Sequence, residues 1–184
     1  DSAYQFIGFE GDPADTVQPK TITLTEPDSV SAHYSGLIYE LNIGLNRNSW
    51  NLGILPRDYT RVMIPPESLI VQNDGNVPVD LGLSLIMEDT LTSWSCGCTN
   101  DEERVALHAY LSEMPFPPPA FNTIMDCLKE TNSWSTEIIF GPEGFYMLPD
   151  EFKYLWLQMK TPLSSSEEDE QSIILRVYAR VSMY

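Results

Sequence analysis

The chain has 184 residues, of which 42% are hydrophobic, so it is long enough to build one domain around a core and too apolar to be disordered throughout. Its 27 acidic and 10 basic residues give a net charge of −17, which would repel polyanionic surfaces. No apolar run approaches the length that crosses a bilayer. We therefore expect no nucleic-acid partner, no anionic membrane partner and no membrane insertion.

The chain begins with DSAYQFIGFE and has no initiator methionine, which we interpret as the start of a processed mature chain. In an extended conformation, Tyr4 and Phe6 lie on one side of this segment, whereas Ile7 and Phe9 lie on the other. Each such side chain is worth roughly 1.5–3 kcal/mol when buried, so we expect all four to be covered. Two alternatives follow: the segment is the first strand of its own sheet, or it completes the sheet of a neighbouring subunit.

Alternation of apolar and polar residues predicts strands along most of the remaining chain. The pattern is clearest on either side of the turn Asn73–Asn76, where two apolar runs flank turn-forming residues. The predicted strands lie at about residues 22–24, 37–45, 62–64, 69–72, 77–85, 134–140, 152–160 and 173–183. This succession predicts an all-β fold, an antiparallel sandwich of the jelly-roll or immunoglobulin-like type.

One segment departs from this pattern. The stretch NDEERVALHAYLSEM, residues 100–114, has a capping residue, an acidic first turn and apolar residues, which predict a helix. A second short helix is predicted from Pro119. We therefore divide the chain into an extended segment at 1–12 and a sandwich domain at 13–184, with a helical insertion at about 96–132.

Three cysteines, Cys96, Cys98 and Cys127, fall within this insertion. A zinc site is not indicated, because the Cys-Gly-Cys spacing is tight and neither a histidine nor a fourth cysteine is near. The alternatives are unpaired thiols or a disulfide between Cys127 and either Cys98 or Cys96, and we predict the disulfide. It would close a loop of about 30 residues and leave the third thiol free.

The sequence contains none of the motifs typical of hydrolases, zinc proteases or phosphate-binding loops. Its two histidines, His33 and His108, are both interpreted as ordinary surface residues. The chain is therefore predicted not to be an enzyme and to use no cofactor.

Two further features bear on binding. The acidic run Ser164–Glu170 lies between two predicted strands and is interpreted as an exposed hairpin loop. Calcium binding by this run is the alternative, which is not favoured because the pattern of an EF-hand loop is missing. Trp50, in the polar turn NRNSWNLG, is the candidate for an exposed aromatic platform that stacks on sugar rings.

Two phrases carry a resemblance to a known group of proteins. The first is IVQNDGNVPVDL, and the second is LPDEFKYLWLQMKTP followed by a polar loop and SIILRVYARV. Together they resemble the TasA/camelysin-like fibre proteins and the related archaeal bundling pilins, which are secreted β-sandwich subunits. The resemblance implies an extracellular structural subunit that polymerises with copies of itself by lending its N-terminal strand. The alternative is a secreted module that binds carbohydrate or another surface partner.

Overall fold

The computed structural model describes the strands Gln5–Phe9 and Ala32–Ser35 and residues 40–87, 94–166 and 171–183. These residues contain strands and turns but no helix. The strands are β1 (Gln5–Phe9), β2 (Ala32–Ser35), β3 (Ile43–Leu45), β4 (Thr60–Val62), β5 (Leu69–Asn73), β6 (Val79–Met87), β7 (Ser95–Gly97), β8 (Arg104–Ser112), β9 (Ser133–Trp134), β10 (Phe152–Lys160) and β11 (Ile173–Val181).

The chain divides into two units, residues 1–40 and 41–184. In the first unit β1 and β2 pair in antiparallel fashion, and the register shifts between Phe6 and Gly8. The strand predicted near residues 22–24 lies outside the described residues.

The second unit contains two sheets. The larger has the strand order β3-β5-β10-β8-β7, and β4 also pairs with β10, whereas the smaller has the order β11-β6-β9. Every second residue of β6, β8 and β10 contributes to a single buried core, which includes Val79, Leu81, Leu83, Leu85, Val105, Leu107, Ala109, Leu111, Leu155, Leu157 and Met159. The prediction of an all-β sandwich is confirmed, and the pairing is antiparallel between named strands except for β7 with β8.

The predicted helical insertion at about 96–132 is wrong. Residues 104–112 form β8, a strand between β10 and β7 in the larger sheet. Its side chains in the core cluster, Val105, Leu107, Ala109 and Leu111, recur at every second position, which is the period of a strand and not of a helix. The second predicted helix is also absent, since residues 119–131 form turns and a short bridge to β8.

The turn at Asn73–Asn76 does not close a hairpin. It leads from β5 in the larger sheet to β6 in the smaller one. The buried Asn73 holds this crossing, because its side-chain amide donates to the carbonyl groups of Val77 and Met147, at 2.9 and 3.0 Å. The predicted hairpin between β10 and β11 is wrong for the same reason: those strands also belong to different sheets.

Residues 126–147 close one flank of the sandwich by bonding to both sheets. On the larger sheet, Ala109 N donates to the Asp126 carbonyl at 2.8 Å. On the smaller sheet, Leu85 N donates to the Lys129 carbonyl at 2.8 Å, and Met147 exchanges two hydrogen bonds with Val79. This segment therefore satisfies main-chain groups of both sheets along the same flank.

A disulfide secures the same flank. Cys98 and Cys127 are joined with an S–S distance of 2.03 Å, whereas Cys96 is a free thiol. The predicted disulfide is thus confirmed as the Cys98–Cys127 pair, and the third cysteine is free as expected. The bond links the loop after β7 to the segment that pairs with β8.

We expect the double substitution Cys98→Ala/Cys127→Ala to lower the free energy of unfolding by about 3–4 kcal/mol, because it releases a closed loop of 29 residues. Urea unfolding monitored by tryptophan fluorescence measures this loss. Cys96→Ala is the matched control and should cost no more than about 1 kcal/mol. Equal losses in the two variants would contradict the assignment of the structural bond.

Candidate functional site: the strand edge of the smaller sheet

Strand β11 forms one edge of the smaller sheet. It pairs with β6 along its full length of nine residues, from Ile173 opposite Met87 to Val181 opposite Val79. Among the described residues no other strand pairs with it. A long edge strand presents unpaired N–H and C=O groups, which makes it a ready template for an added strand.

The core beneath β11 is incompletely covered by the described residues. The inward-facing side chains of β6 are 0% exposed from Val79 to Leu85. On β11, the side chains of Ile173, Leu175, Val177 and Ala179 pack against the same core but are only half-buried. The apolar face therefore extends to the very edge of the sheet, where a further strand would cover it.

The outer face of the smaller sheet carries an ordered polar layer. The ring of Trp134 lies directly over Gly82, where a Cβ would be 2.8 Å from the ring. Arg180 stacks on the same ring at 4.5 Å from its centroid and donates to the Asp80 carboxylate at 3.1 Å. Asp80 also accepts the Tyr146 amide at 3.2 Å. These contacts explain how a carboxylate that is only 2% exposed is accommodated.

His108 lies in the interior, so its interpretation as a surface residue is wrong. It is 0% exposed on β8, and its Nε2–H donates to the Cys98 carbonyl at 3.1 Å. Burial lowers its pKa, and Lys160 adds to this, while the carbonyl groups of Cys98 and Thr123 oppose it. The ring is held neutral beside the disulfide and reaches no surface where it could serve as a base.

Lys153 is buried at the end of the sandwich among three carboxylates. Its Nζ lies 2.8 Å from Glu113, 2.9 Å from Glu143 and 2.6 Å from Glu151. Burial lowers the pKa of Lys153, but the three carboxylates outweigh burial and raise it above the usual value. Hydrogen bonding to the same ammonium lowers the pKa of Glu113. This lysine stays protonated and serves as a structural charge rather than a nucleophile.

Cys96 is a free thiol. It is half-buried, and its Sγ lies 3.2 Å from the sulfur of Met87. Burial, with the negative charge of Glu130, raises the pKa of the thiol to about 11. Because the thiolate is the nucleophilic and metal-binding form, the raised pKa disfavours both roles for Cys96 at neutral pH.

Trp50 does not form the expected exposed platform. Its side chain is half-buried and packs against the core, and its Nε1 is buried without a hydrogen-bond partner in the described part of the chain. The candidate donor residues Phe6, Ile7 and Phe9 lie in β1, which pairs with β2. Tyr4 lies outside the described residues.

The start of the acidic run is anchored rather than free. Ser165 accepts the indole N–H of Trp94 at 2.7 Å, and its hydroxyl donates to Glu103 at 3.2 Å. Ser164 forms a bridge to Glu102. Residues 167–170 lie outside the described residues, so the calcium alternative is not tested there. Within the described ranges, no group of three or more His, Cys, Asp or Glu side chains is arranged to hold a metal ion.

Comparison with known proteins gives no relative from which a function could be transferred: no protein-family model matches the chain, and no curated protein matches it significantly. In the described residues, no helix is long and apolar enough to cross a membrane. The case for a function therefore depends on the geometry of β11 and of the surfaces beside it.

The buried His108 predicts a loss of stability in mild acid. Its pKa is lower in the folded chain than in the unfolded chain, so the unfolded chain binds more protons below the usual value of about 6.5. The contribution is fully present above that pH and is lost as the pH falls toward the lowered folded pKa. We expect the free energy of unfolding to decrease as the pH is lowered from 7.5 to 5.

Urea unfolding at these two pH values measures this effect. His108→Gln should flatten the pH dependence, whereas His33→Gln, which changes the other histidine of the chain, should retain the part due to His108. An unchanged pH dependence in His108→Gln would contradict the assignment.

Proposed function

We propose that the chain is an extracellular structural subunit that polymerises head to tail, with the N-terminal segment of one copy added to β11 of the next. The observation that carries this proposal is the nine-residue edge of β11 above a half-buried apolar face. The added strand would satisfy the main-chain groups of the edge and cover the side chains beneath it. Such a contact joins two different surfaces and need not close into a ring.

The N-terminal segment has the chemistry that this edge requires. Its large apolar residues are Tyr4, Phe6, Ile7 and Phe9, and apolar surface that they bury against a neighbouring copy is worth about 25 cal/mol for each Å². In the isolated chain, β1 pairs with β2 at four positions and with a shifted register. Transfer to β11 exchanges this short, interrupted ladder for an edge of nine residues. The bonds that β1 would lose to β2 and gain from β11 are all main-chain N–H···O=C bonds of similar strength. Burial of apolar surface would therefore drive the exchange.

Two further features support an extracellular location. The Cys98–Cys127 disulfide is typical of proteins that fold in an oxidising compartment. The net charge of −17 favours solubility of a surface-exposed polymer and opposes unspecific association between its copies.

Deletion of residues 1–10 tests this proposal. We expect the shortened protein to remain folded and monomeric, whereas the intact chain assembles into filaments as its concentration rises. Sedimentation velocity and negative-stain microscopy measure assembly, and circular dichroism checks the fold. A synthetic DSAYQFIGFE peptide should bind the shortened protein and raise its melting temperature, because it supplies the missing strand.

The matched control is a peptide in which Phe6 and Ile7 are both replaced by Asp, which should neither bind nor stabilise. The proposal fails if the shortened protein still forms the same filaments. It also fails if the intact protein remains monomeric at high concentration.

A further inference from the structure

Two clefts adjoin on the surface of the closed flank, and the first also reaches Arg180 on β11. The first has a volume of about 410 Å³ and the second about 390 Å³. Both are lined by Glu137 and Ile138, which therefore form the ridge between them. Each cleft is within the size range of small-molecule sites, and together they offer two neighbouring positions to one elongated ligand.

Each of the two clefts is lined by one buried aspartate. Asp80 lines the first and Asp126 lines the second, and these carboxylates are only 2% and 3% exposed. Hydrogen bonds hold both carboxylates in place. Asp80 accepts from the Arg180 guanidinium and the Tyr146 main-chain N–H, and Asp126 accepts from the Asn122 main-chain N–H at 2.6 Å. Two similar positions side by side suit a ligand whose units repeat.

Each cleft also combines apolar walls with hydrogen-bonding groups. Phe145 lines the first cleft, Tyr110 and Met125 line the second, and Ile138 on the ridge is 64% exposed. Ser135 Oγ in the wall of the first cleft is buried and has no hydrogen-bond partner among the described residues. Arg180 also lines the first cleft, where its half-exposed side chain is held by stacking on Trp134 and by the ion pair with Asp80.

The main chain around the ridge is already hydrogen-bonded. Ser135 N donates to Leu81, Ile138 N and Ile139 N donate to the Thr136 hydroxyl, and Phe140 N donates to Met125. An extended peptide is recognised chiefly through main-chain hydrogen bonds, and these amides have none to offer it. The groups that these clefts offer to a ligand are therefore mainly side chains.

Charge restricts the ligand further. Three carboxylates and one guanidinium line the two clefts, on a chain whose net charge is −17, so polyanions are disfavoured. We infer that the paired clefts bind a neutral oligosaccharide, with apolar side chains against the faces of its rings and the exposed polar groups of Arg180 and Glu137 facing its hydroxyl groups.

Affinity electrophoresis and calorimetry of the full chain test this inference, with cellohexaose, maltohexaose and chitohexaose as probes and a hexagalacturonate as the charged comparison. We expect at least one neutral hexamer to bind and the galacturonate not to bind. Glu137→Gln/Ile138→Ala should weaken that binding at least tenfold without unfolding the protein, because both side chains are exposed on the ridge.

The control variant is Glu102→Gln/Ile54→Ala, which changes the same residue types at exposed positions outside the clefts and should bind as the unchanged chain does. The inference is overturned if none of the neutral hexamers binds, if the galacturonate binds best, or if the ridge variant binds as tightly as the control. Filament formation is measured on the same samples, so the polymer proposal and this inference can fail independently.

Discussion

The hydrogen bonds from residues 126–147 to both sheets are the constraint on which the rest of this structure depends. They join β8 of the larger sheet to β6 of the smaller sheet along one flank. With that flank closed, β6 is covered on both faces, so that even its polar residues Asp80 and Ser84 are only 2% exposed. The smaller sheet is left with one long edge in the described residues, which is β11. In the described residues the sandwich is closed on one flank and has an unpaired strand on the other, and an edge of this kind is suited to strand addition.

The loops that close the sandwich also supply the partners of its buried charged residues. Loops that fold over the ends of the strands bring Glu143 and Glu151 onto Lys153, and the Tyr146 amide onto Asp80. A buried charge is tolerated only where partners of opposite sign or polar groups surround it, and both charges have them. His108 is the contrasting case, because its ring is buried with one hydrogen bond and is accommodated by remaining neutral.

Local alternation predicted the strands β6, β10 and β11 well, because each buries one apolar face and its side chains follow a period of two. The same rule was available for β8, whose apolar residues recur at 105, 107, 109 and 111. The acidic residues before them and the alanines among them favour a helix locally, and tertiary packing overrides that preference. The cysteine spacing predicted a disulfide to Cys127 but left its partner open, since Cys96 and Cys98 are only two residues apart.

What alternation could not predict is which strands are neighbours. The turn at Asn73–Asn76 reads as a hairpin, yet it crosses between sheets, because the pattern specifies which side chains face the core and not which sheet a strand joins. The paired clefts could not be predicted from the sequence either. They bring Asp80, Asp126 and Arg180 together from distant parts of the chain, and no local motif marks any of them.

Hydrogen–deuterium exchange along β11 is the most direct test of the central claim that a neighbouring copy completes this edge. The amides of residues 173–181 are followed by mass spectrometry in dilute and in assembled protein, with β10 as an internal reference for a strand paired on both sides. The account predicts that half of the β11 amides exchange fast in dilute solution and become as protected as those of β10 on assembly. Full protection of β11 in the dilute monomer would contradict it, because the edge would then be covered by its own chain.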